Sequence, residues 1–438
     1  MSQPALQTRP MAEPPRGGES LTCYPAHLGH QAQGRDCALL RDLSAEGALL
    51  LTQESWAPGQ PVRLELKLEG VRACPDSISA RVVDCQPRLG AEGSRWRHQV
   101  RVSFAPQRIL GRKPWPAEGH LQTLAVLLPL YVQSRTPHTP EEVHVPVKEG
   151  ALLARTHWLP GRRPLILLLH GVAGTSENLY MRRAAASCLE AGYHAVRLNL
   201  RGTGEGRWLA HHIYHTCMTD DLDAAVRHFS LHPRVSGVLA VGFSLGGNMA
   251  LATAAAPPPG LSGVASISAP MDLDRTVVHL ERSQPLYHQY VLRGLQEFIR
   301  QHHEVWPHVT PAELVKRGLR ARTIREFDDQ VMAPHHGFAG VADYYARTSC
   351  GVRLPRAQVP CAVIHADDDP MVPLDTVLPY VETAADTVSF VRLPRGGHVG
   401  FFDGWGRSRW QRNSAMQVAL SWARELLPPP PSQPPTNG

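Results

Sequence analysis

The segment Gly242-Phe-Ser-Leu-Gly246 constrains the fold of this chain more tightly than any other. An apolar run, Gly237-Val-Leu-Ala-Val241, precedes it, and a small-residue stretch, Gly247 to Ala252, follows it. A strand pattern that gives way to a helix pattern within five residues must turn sharply, bringing strand and helix backbones close together. Side chains two positions before and two after the turn's centre would block that approach. Gly242 and Gly246 remove the block, and such a turn lifts the Ser244 hydroxyl above the end of a sheet. With 36 glycines in 438 residues the pattern also arises by chance, so its weight comes from what surrounds it.

The surroundings divide the chain. Residues 1–20 are rich in Pro, Gly and polar residues, and 428–438 form a proline tract; both compositions disfavour a packed structure. Between 21 and 106 the patterns are short and alternating, as in Val62 to Leu68, Ile78 to Val83 and His98 to Phe104. They predict a small all-β domain. From 107 to 427 fully apolar runs alternate with helical segments, the mark of a mostly parallel sheet covered by helices. Predicted strands are 164–169, 194–199, 263–267, 361–365 and 388–393, and predicted helices include 181–191, 220–231 and 410–427. A more polar helical stretch, about 275–350, reads as a lid above the sheet's end. In it, Thr310, Pro311 and Glu313 spell an N-cap, a first-position proline and a capping box.

A serine hydroxyl becomes a useful nucleophile only when a base takes its proton and a third group orients that base. Downstream of Ser244, the apolar strand at 361–365 runs into Ala366-Asp-Asp-Asp-Pro370. Asp369, next to the proline, is the expected orienter, with Asp367 and Asp368 as rivals. The last strand is followed by Pro394-Arg-Gly-Gly-His398, whose paired glycines permit a tight turn that carries an imidazole back to the serine. Among 23 histidines His398 is singled out by its place after the acid and after that strand. Donors for a developing oxyanion are expected from the His170-Gly-Val-Ala-Gly174 turn, through the backbone N–H of Val172, and from the N–H of Leu245. That glycine turn lacks both the dinucleotide-binding spacing and the P-loop lysine. Adjacent histidines at 211–212 and 302–303 do not have metal-ligand spacing, so neither a metal nor another cofactor is expected.

These residues resemble the YheT-like branch of the α/β-hydrolase superfamily. The resemblance runs through Trp115-Pro-Ala-Glu-Gly-His-Leu-Gln-Thr-Leu124, His170-Gly171, Arg201-Gly-Thr-Gly204, Ile213-Tyr-His215 and Asp220-Asp-Leu222. It continues through Gly242-Phe-Ser-Leu-Gly-Gly-Asn248, Phe327-Asp-Asp329, Tyr344-Tyr345 and Gly396-Gly-His-Val-Gly-Phe-Phe402, covering about 112–427. It implies an α/β-hydrolase fold with a helical lid, a Ser244–Asp369–His398 triad, and a small-molecule acyl ester as substrate, often a lipid. His215 and Asp220 also match the HxxxxD spacing of some acyltransferase relatives, but lying before the elbow the pair reads first as a packing hydrogen bond that braces structure; an alcohol acceptor would turn hydrolysis into acyl transfer.

Ahead of this region, Arg41-Asp42-Leu-Ser44-Ala-Glu-Gly47 reads as two strands joined by a polar turn. This segment and the strands after it resemble a PilZ domain with its D/N-x-S-x-x-G motif. The resemblance implies a small β-barrel and names cyclic di-GMP as a ligand class, met by Asp42, Ser44 and Gly47. This chain departs from the family's upstream RxxxR pair, since Arg16 is followed by Ser20 and Arg35 by Leu39. That departure favours a degenerate docking module over a nucleotide-binding one.

The formal net charge of +6 comes almost wholly from scattered arginine, the lysines being Lys67, Lys113, Lys148 and Lys316. No basic run clusters on one segment, so no nucleic-acid partner is expected. The N-terminus lacks an apolar leader core, and stretches such as 124–132 are too short to cross a bilayer. Eight cysteines fall in no paired framework. These features lead to the expectation of a cytoplasmic protein with reduced thiols.

Overall fold

The computed structural model describes residues 19–25, 37–43, 47–66, 78–88, 96–104, 118–127, 139–401 and 413–430. Six strands come first: β1 Glu19–Pro25, β2 Cys37–Leu43, β3 Gly47–Thr52, β4 Pro61–Leu66, β5 Ile78–Pro87 and β6 His98–Phe104. They close into a barrel in the order β1-β2-β3-β6-β5-β4, with β1 parallel to both its neighbours. Closure leaves no unpaired edge. Alternate residues face inward, and Leu50, Val62, Leu64, Val82, Val100 and Val102 make the small core.

Helix α1, Glu118–Leu127, leads to an eight-stranded sheet. Its strands are β7 Glu141–Val147, β8 Gly150–His157, β9 Arg163–Leu169, β10 His194–Leu198, β11 Val235–Phe243, β12 Leu261–Ile267, β13 Cys361–Ala366 and β14 Val388–Leu393. Six strands, β9 to β14, run parallel, while β7 and β8 form an antiparallel hairpin at one edge. The hairpin escapes the reading of the sequence because β7 alternates with charged residues and its turn uses Glu149 at φ 64 before Gly150. Leu165 to Leu169 are fully buried, with alternate side chains feeding opposite faces. Ile166 and Leu168 pack with helix α2, Leu179–Glu190; Leu165, Leu167 and Leu169 share a core with helices α3, Thr219–Ser230, and α4, Leu245–Thr253.

Between β12 and β13 lies a run of helices: α5 Leu273–Ser283, α6 Pro285–Val305, α7 Ala312–Arg320, α8 Ile324–Phe327, α9 Ala333–His335 and α10 Val341–Thr348. Short α11, Leu378–Glu382, precedes β14, and α12, Ser414–Leu426, covers the face opposite the lid. The capping box expected at Thr310 is not formed. Helix α7 starts at Ala312 with Pro311 as its cap, and the buried Thr310 hydroxyl pairs with His302 Nδ1 at 2.8 Å. A buried imidazole nitrogen needs a partner, and that need outweighs a cap on a solvent-facing helix start. Edge strand β14 packs against β2 of the barrel, and Arg88 pairs with Asp386 at 2.6 Å beside it.

The strand order reverses between β9 and β11, because the chain runs from β9 to β10 on one side and returns to β11 on the other. In open α/β sheets the crevice beyond the strand ends at such a reversal is where ligands bind.

Candidate active site

Ser244 stands at the end of β11, on the reversal side, with φ 50 and ψ −118. A side chain rarely occupies this backbone region, and it is held there by packing from both sides. A Cβ on Gly242 would lie 2.2 Å from Gly246 O, and one on Gly246 would lie 2.5 Å from Leu169 O. Only hydrogen fits at either place. Ser244 N–H donates to Ile267 O at 2.8 Å, anchoring the turn to β12.

His398 Nε2 lies 2.9 Å from Ser244 Oγ. On the ring's other side, Nδ1 lies 2.9 Å from Asp369 Oδ2 and 3.2 Å from Oδ1. Asp369 Oδ1 also accepts the amides of Met371 and Val372, at 2.9 and 3.0 Å. Burial pushes the Asp369 carboxyl up, but the His398 ring, His365 and the Val372 amide pull harder and leave it below its ordinary value. The carboxyl is therefore ionised and fixed in place. The structure separates the three neighbouring acids. Asp367 Oδ1 pairs with Arg392 at 3.0 Å, and Asp368 Oδ1 accepts the amides of Gly396 and Gly397. Of the three, Asp369 is the one that meets His398.

The His170–Gly174 turn follows β9 and packs on the serine, with a Cβ on Gly171 only 3.2 Å from Ser244 Cβ. Gly171 N–H donates to Tyr180 Oη at 2.9 Å and Ala173 N–H to Tyr214 Oη at 3.0 Å. Val172 N–H, between them, and Leu245 N–H, first in α4, have no acceptor among the described residues. His170 holds the turn: Nε2 accepts Leu200 N–H at 3.1 Å, so Nδ1 carries the proton and donates to Gly171 O at 2.8 Å. Burial pushes His170 down to about 4, keeping the ring neutral.

Two clefts meet at Ser244 and His398. An apolar one of about 90 Å³ runs beneath the lid, lined among others by Leu273, Val277, Leu280, Leu295 and Phe298. The second, of about 330 Å³, is more polar and includes Thr123, Asn178, Tyr180, Tyr287 and Tyr290. Val172 lines both, and Leu245 lines the apolar one.

Asp328 lines the apolar cleft as well. Its Oδ2 accepts Tyr345 O–H at 2.7 Å, and burial pushes the carboxyl up to about 7. Only the family resemblance pointed to this residue; an acid in a polar helical stretch carries no signal of its own. His215 lines the same cleft, with Nδ1 accepting Cys217 N–H at 3.2 Å and burial pushing it down to about 4. Asp220 is exposed, and no hydrogen bond joins it to His215 among the described residues. In the barrel, Asp42 lies in β2 opposite Leu49, and Gly47 opens β3 opposite Ser103; Ser44 lies outside the described residues. Among the described residues no cluster of His, Cys, Asp or Glu could hold a metal ion, and no helix is long and apolar enough to cross a membrane.

Residues 15–109 match the model of the PilZ domain. The chain is 29% identical to the esterase-named YheT of Escherichia coli (strain K12), over 65% of this chain and 84% of that one. It is 32% identical to phospholipase ABHD3 of Mus musculus, over 56% of this chain and 60% of the relative. With monoacylglycerol lipase ABHD2 of Homo sapiens the identity is 25%, over 66% and 73%. The model of the alpha/beta hydrolase fold matches residues 164–404, more than half of the chain and the whole span from β9 to the loop after His398, so the protein belongs to the α/β-hydrolase family.

Proposed function

We propose that the protein is a serine ester hydrolase acting on carboxylic esters with apolar, lipid-like acyl chains. The observation that carries the reading is the unbroken hydrogen-bonded line from Ser244 through His398 to Asp369 at the mouth of an apolar cleft. Relatives bearing esterase, phospholipase and monoacylglycerol lipase names support the same reaction class. Ser244 Oγ attacks the ester carbonyl carbon while its proton passes to His398 Nε2. The carbonyl electron pair moves onto oxygen, where the Val172 and Leu245 amides receive it. Collapse of this intermediate expels the alcohol, which takes the proton from His398, and leaves an acyl group on Ser244. Water, deprotonated by His398, then attacks the acyl carbon and releases the acid and the free serine. Asp369 stabilises the imidazolium in both halves and keeps the Nδ1 proton facing itself. The apolar cleft receives the acyl chain and the polar cleft the alcohol. Turnover of aryl acyl esters of graded length by wild type and Ser244→Ala tests the reading; equal rates from both would refute it.

The PilZ-domain match supports a regulatory input from the barrel, with cyclic di-GMP as the effector. Calorimetry with the dinucleotide, on wild type and on the Asp42→Ala/Ser44→Ala double variant, tests that part. Absence of binding heat from the wild type would eliminate it.

A further inference from the structure

Helix α1 precedes the sheet in sequence, yet it packs on both loops that carry the base and the acid. Its contact with the acid loop is made backbone to backbone: a Cβ on Gly119 would stand 2.1 Å from Asp368 O. The contact with the base loop is as close, since a Cβ on Gly397 would stand 2.3 Å from Gly119 O and one on Gly400 2.6 Å from Gln122 O. Thr123 sits at the middle of this contact and is 4% exposed. Its hydroxyl accepts His398 N–H at 2.8 Å and donates its own proton to Gly119 O at 2.8 Å. Asp368 Oδ1 accepts the two preceding amides, Gly396 at 2.8 Å and Gly397 at 2.9 Å. Three consecutive main-chain amides are thus held by two side chains from elsewhere in the fold.

The loop needs holding. Gly397 has φ 55, and Val399, a β-branched residue, has φ 57 on the other side of His398. Left-handed backbone at valine is disfavoured, and it persists only where the surroundings enforce it. From the lid, Tyr287 reaches the same helix, its hydroxyl 3.0 Å from His120 Nδ1 with the two rings stacked.

We propose that Thr123, seconded by Asp368, is a positioning residue for His398: its hydroxyl sets the height of the loop so that Nε2 meets Ser244 Oγ. The inference rests on the reading of His398 as the base. It is tested on the full chain by steady-state turnover of an aryl acyl ester, with thermal unfolding of each variant measured alongside. Thr123→Val keeps the shape and removes the acceptor; kcat is expected to fall by roughly ten- to a hundredfold with KM within about twofold. Thr123→Ser restores the acceptor and is expected to recover kcat to within about threefold of wild type, since the position of the oxygen is what matters. Asp368→Ala should act in the same direction as Thr123→Val. His398→Ala is measured in the same assay. Wild-type turnover by His398→Ala overturns the reading of the site and this inference with it. Loss in His398→Ala together with unchanged kcat in Thr123→Val overturns this inference alone. A Thr123→Ser variant as slow as Thr123→Val, at normal thermal stability, also overturns it.

Discussion

Replacing Asp369 by asparagine tests its proposed role as the orienter of His398 with almost no change of shape. Asp369 Oδ1 is pinned by the amides of Met371 and Val372, at 2.9 and 3.0 Å, and both are donors. An asparagine must therefore keep its oxygen there and turn its NH2 to the position of Oδ2, 2.9 Å from His398 Nδ1. Two N–H groups cannot face each other at that distance, so Nδ1 becomes an acceptor and the ring proton moves to Nε2. Nε2–H then points at Ser244 Oγ and can no longer take its proton. The imidazolium also loses the buried carboxylate that stabilises it. The expected fall in kcat is on the order of 10⁴-fold, equivalent to about 5.5 kcal/mol at ~1.4 kcal/mol per tenfold. The assay is turnover of an aryl acyl ester, with Asp367→Asn as the control. Asp367 serves Arg392 at a part-exposed site and its variant should stay within about twofold of wild type. Asp369→Asn within tenfold of wild type, or Asp367→Asn as damaging as Asp369→Asn, would refute the assignment.

Leu295→Trp narrows the apolar cleft from lid helix α6 and should shift the acyl-length profile of kcat/KM toward shorter chains, by roughly fourfold per methylene excluded; an unchanged profile would place the acyl chain elsewhere. Asp328 has a folded pKa of about 7 against an ordinary 3.8, so between those values the folded chain keeps a proton that the unfolded chain releases. Its contribution is thus most favourable below about pH 4 and is lost as pH rises to about 7. Relative to wild type, Asp328→Asn should gain stability from pH 4 to pH 7, by up to about 4 kcal/mol, with no further gain above; denaturant unfolding of both proteins across that range measures it, and a constant difference would contradict the burial argument. Asn248, fully buried, ties the elbow helix to the Thr216 and Thr348 carbonyls, at 2.7 and 3.0 Å, and to the Cys350 amide at 2.8 Å. Asn248→Ala leaves three groups unsatisfied and should cost about 3 kcal/mol in denaturant unfolding; a loss below about 1 kcal/mol would mean that the site relaxes.

The parallel sheet was legible because β9, β11 and β13 are buried on both faces and so read as unbroken apolar runs. The elbow was legible for a steric reason, since two glycines flank the serine where no larger residue fits. His398, the proposed base, could be singled out by its order in the chain and the paired glycines before it. The sequence put Asp369 first but left Asp367 and Asp368 as rivals, because each oxygen's partner comes from a different stretch: Arg392, the Gly396–Gly397 amides and His398. Helix α1 gave no periodic signal, and its mean pattern does not reveal that Thr123 serves a loop 275 positions away. The β7–β8 hairpin and the use of Thr310 were hidden similarly, the first by charged alternation at an edge, the second by a buried histidine's need for a partner.

Every step of the proposed reaction passes through Ser244 as the nucleophile. Mass spectrometry of the full chain after reaction with a fluorophosphonate, with peptide mapping and a parallel ester assay, tests it most directly. A single adduct on the peptide containing Ser244 is expected, with loss of turnover in proportion to labelling, and neither adduct nor turnover in Ser244→Ala. An adduct on another residue, or wild-type turnover by Ser244→Ala, would contradict it.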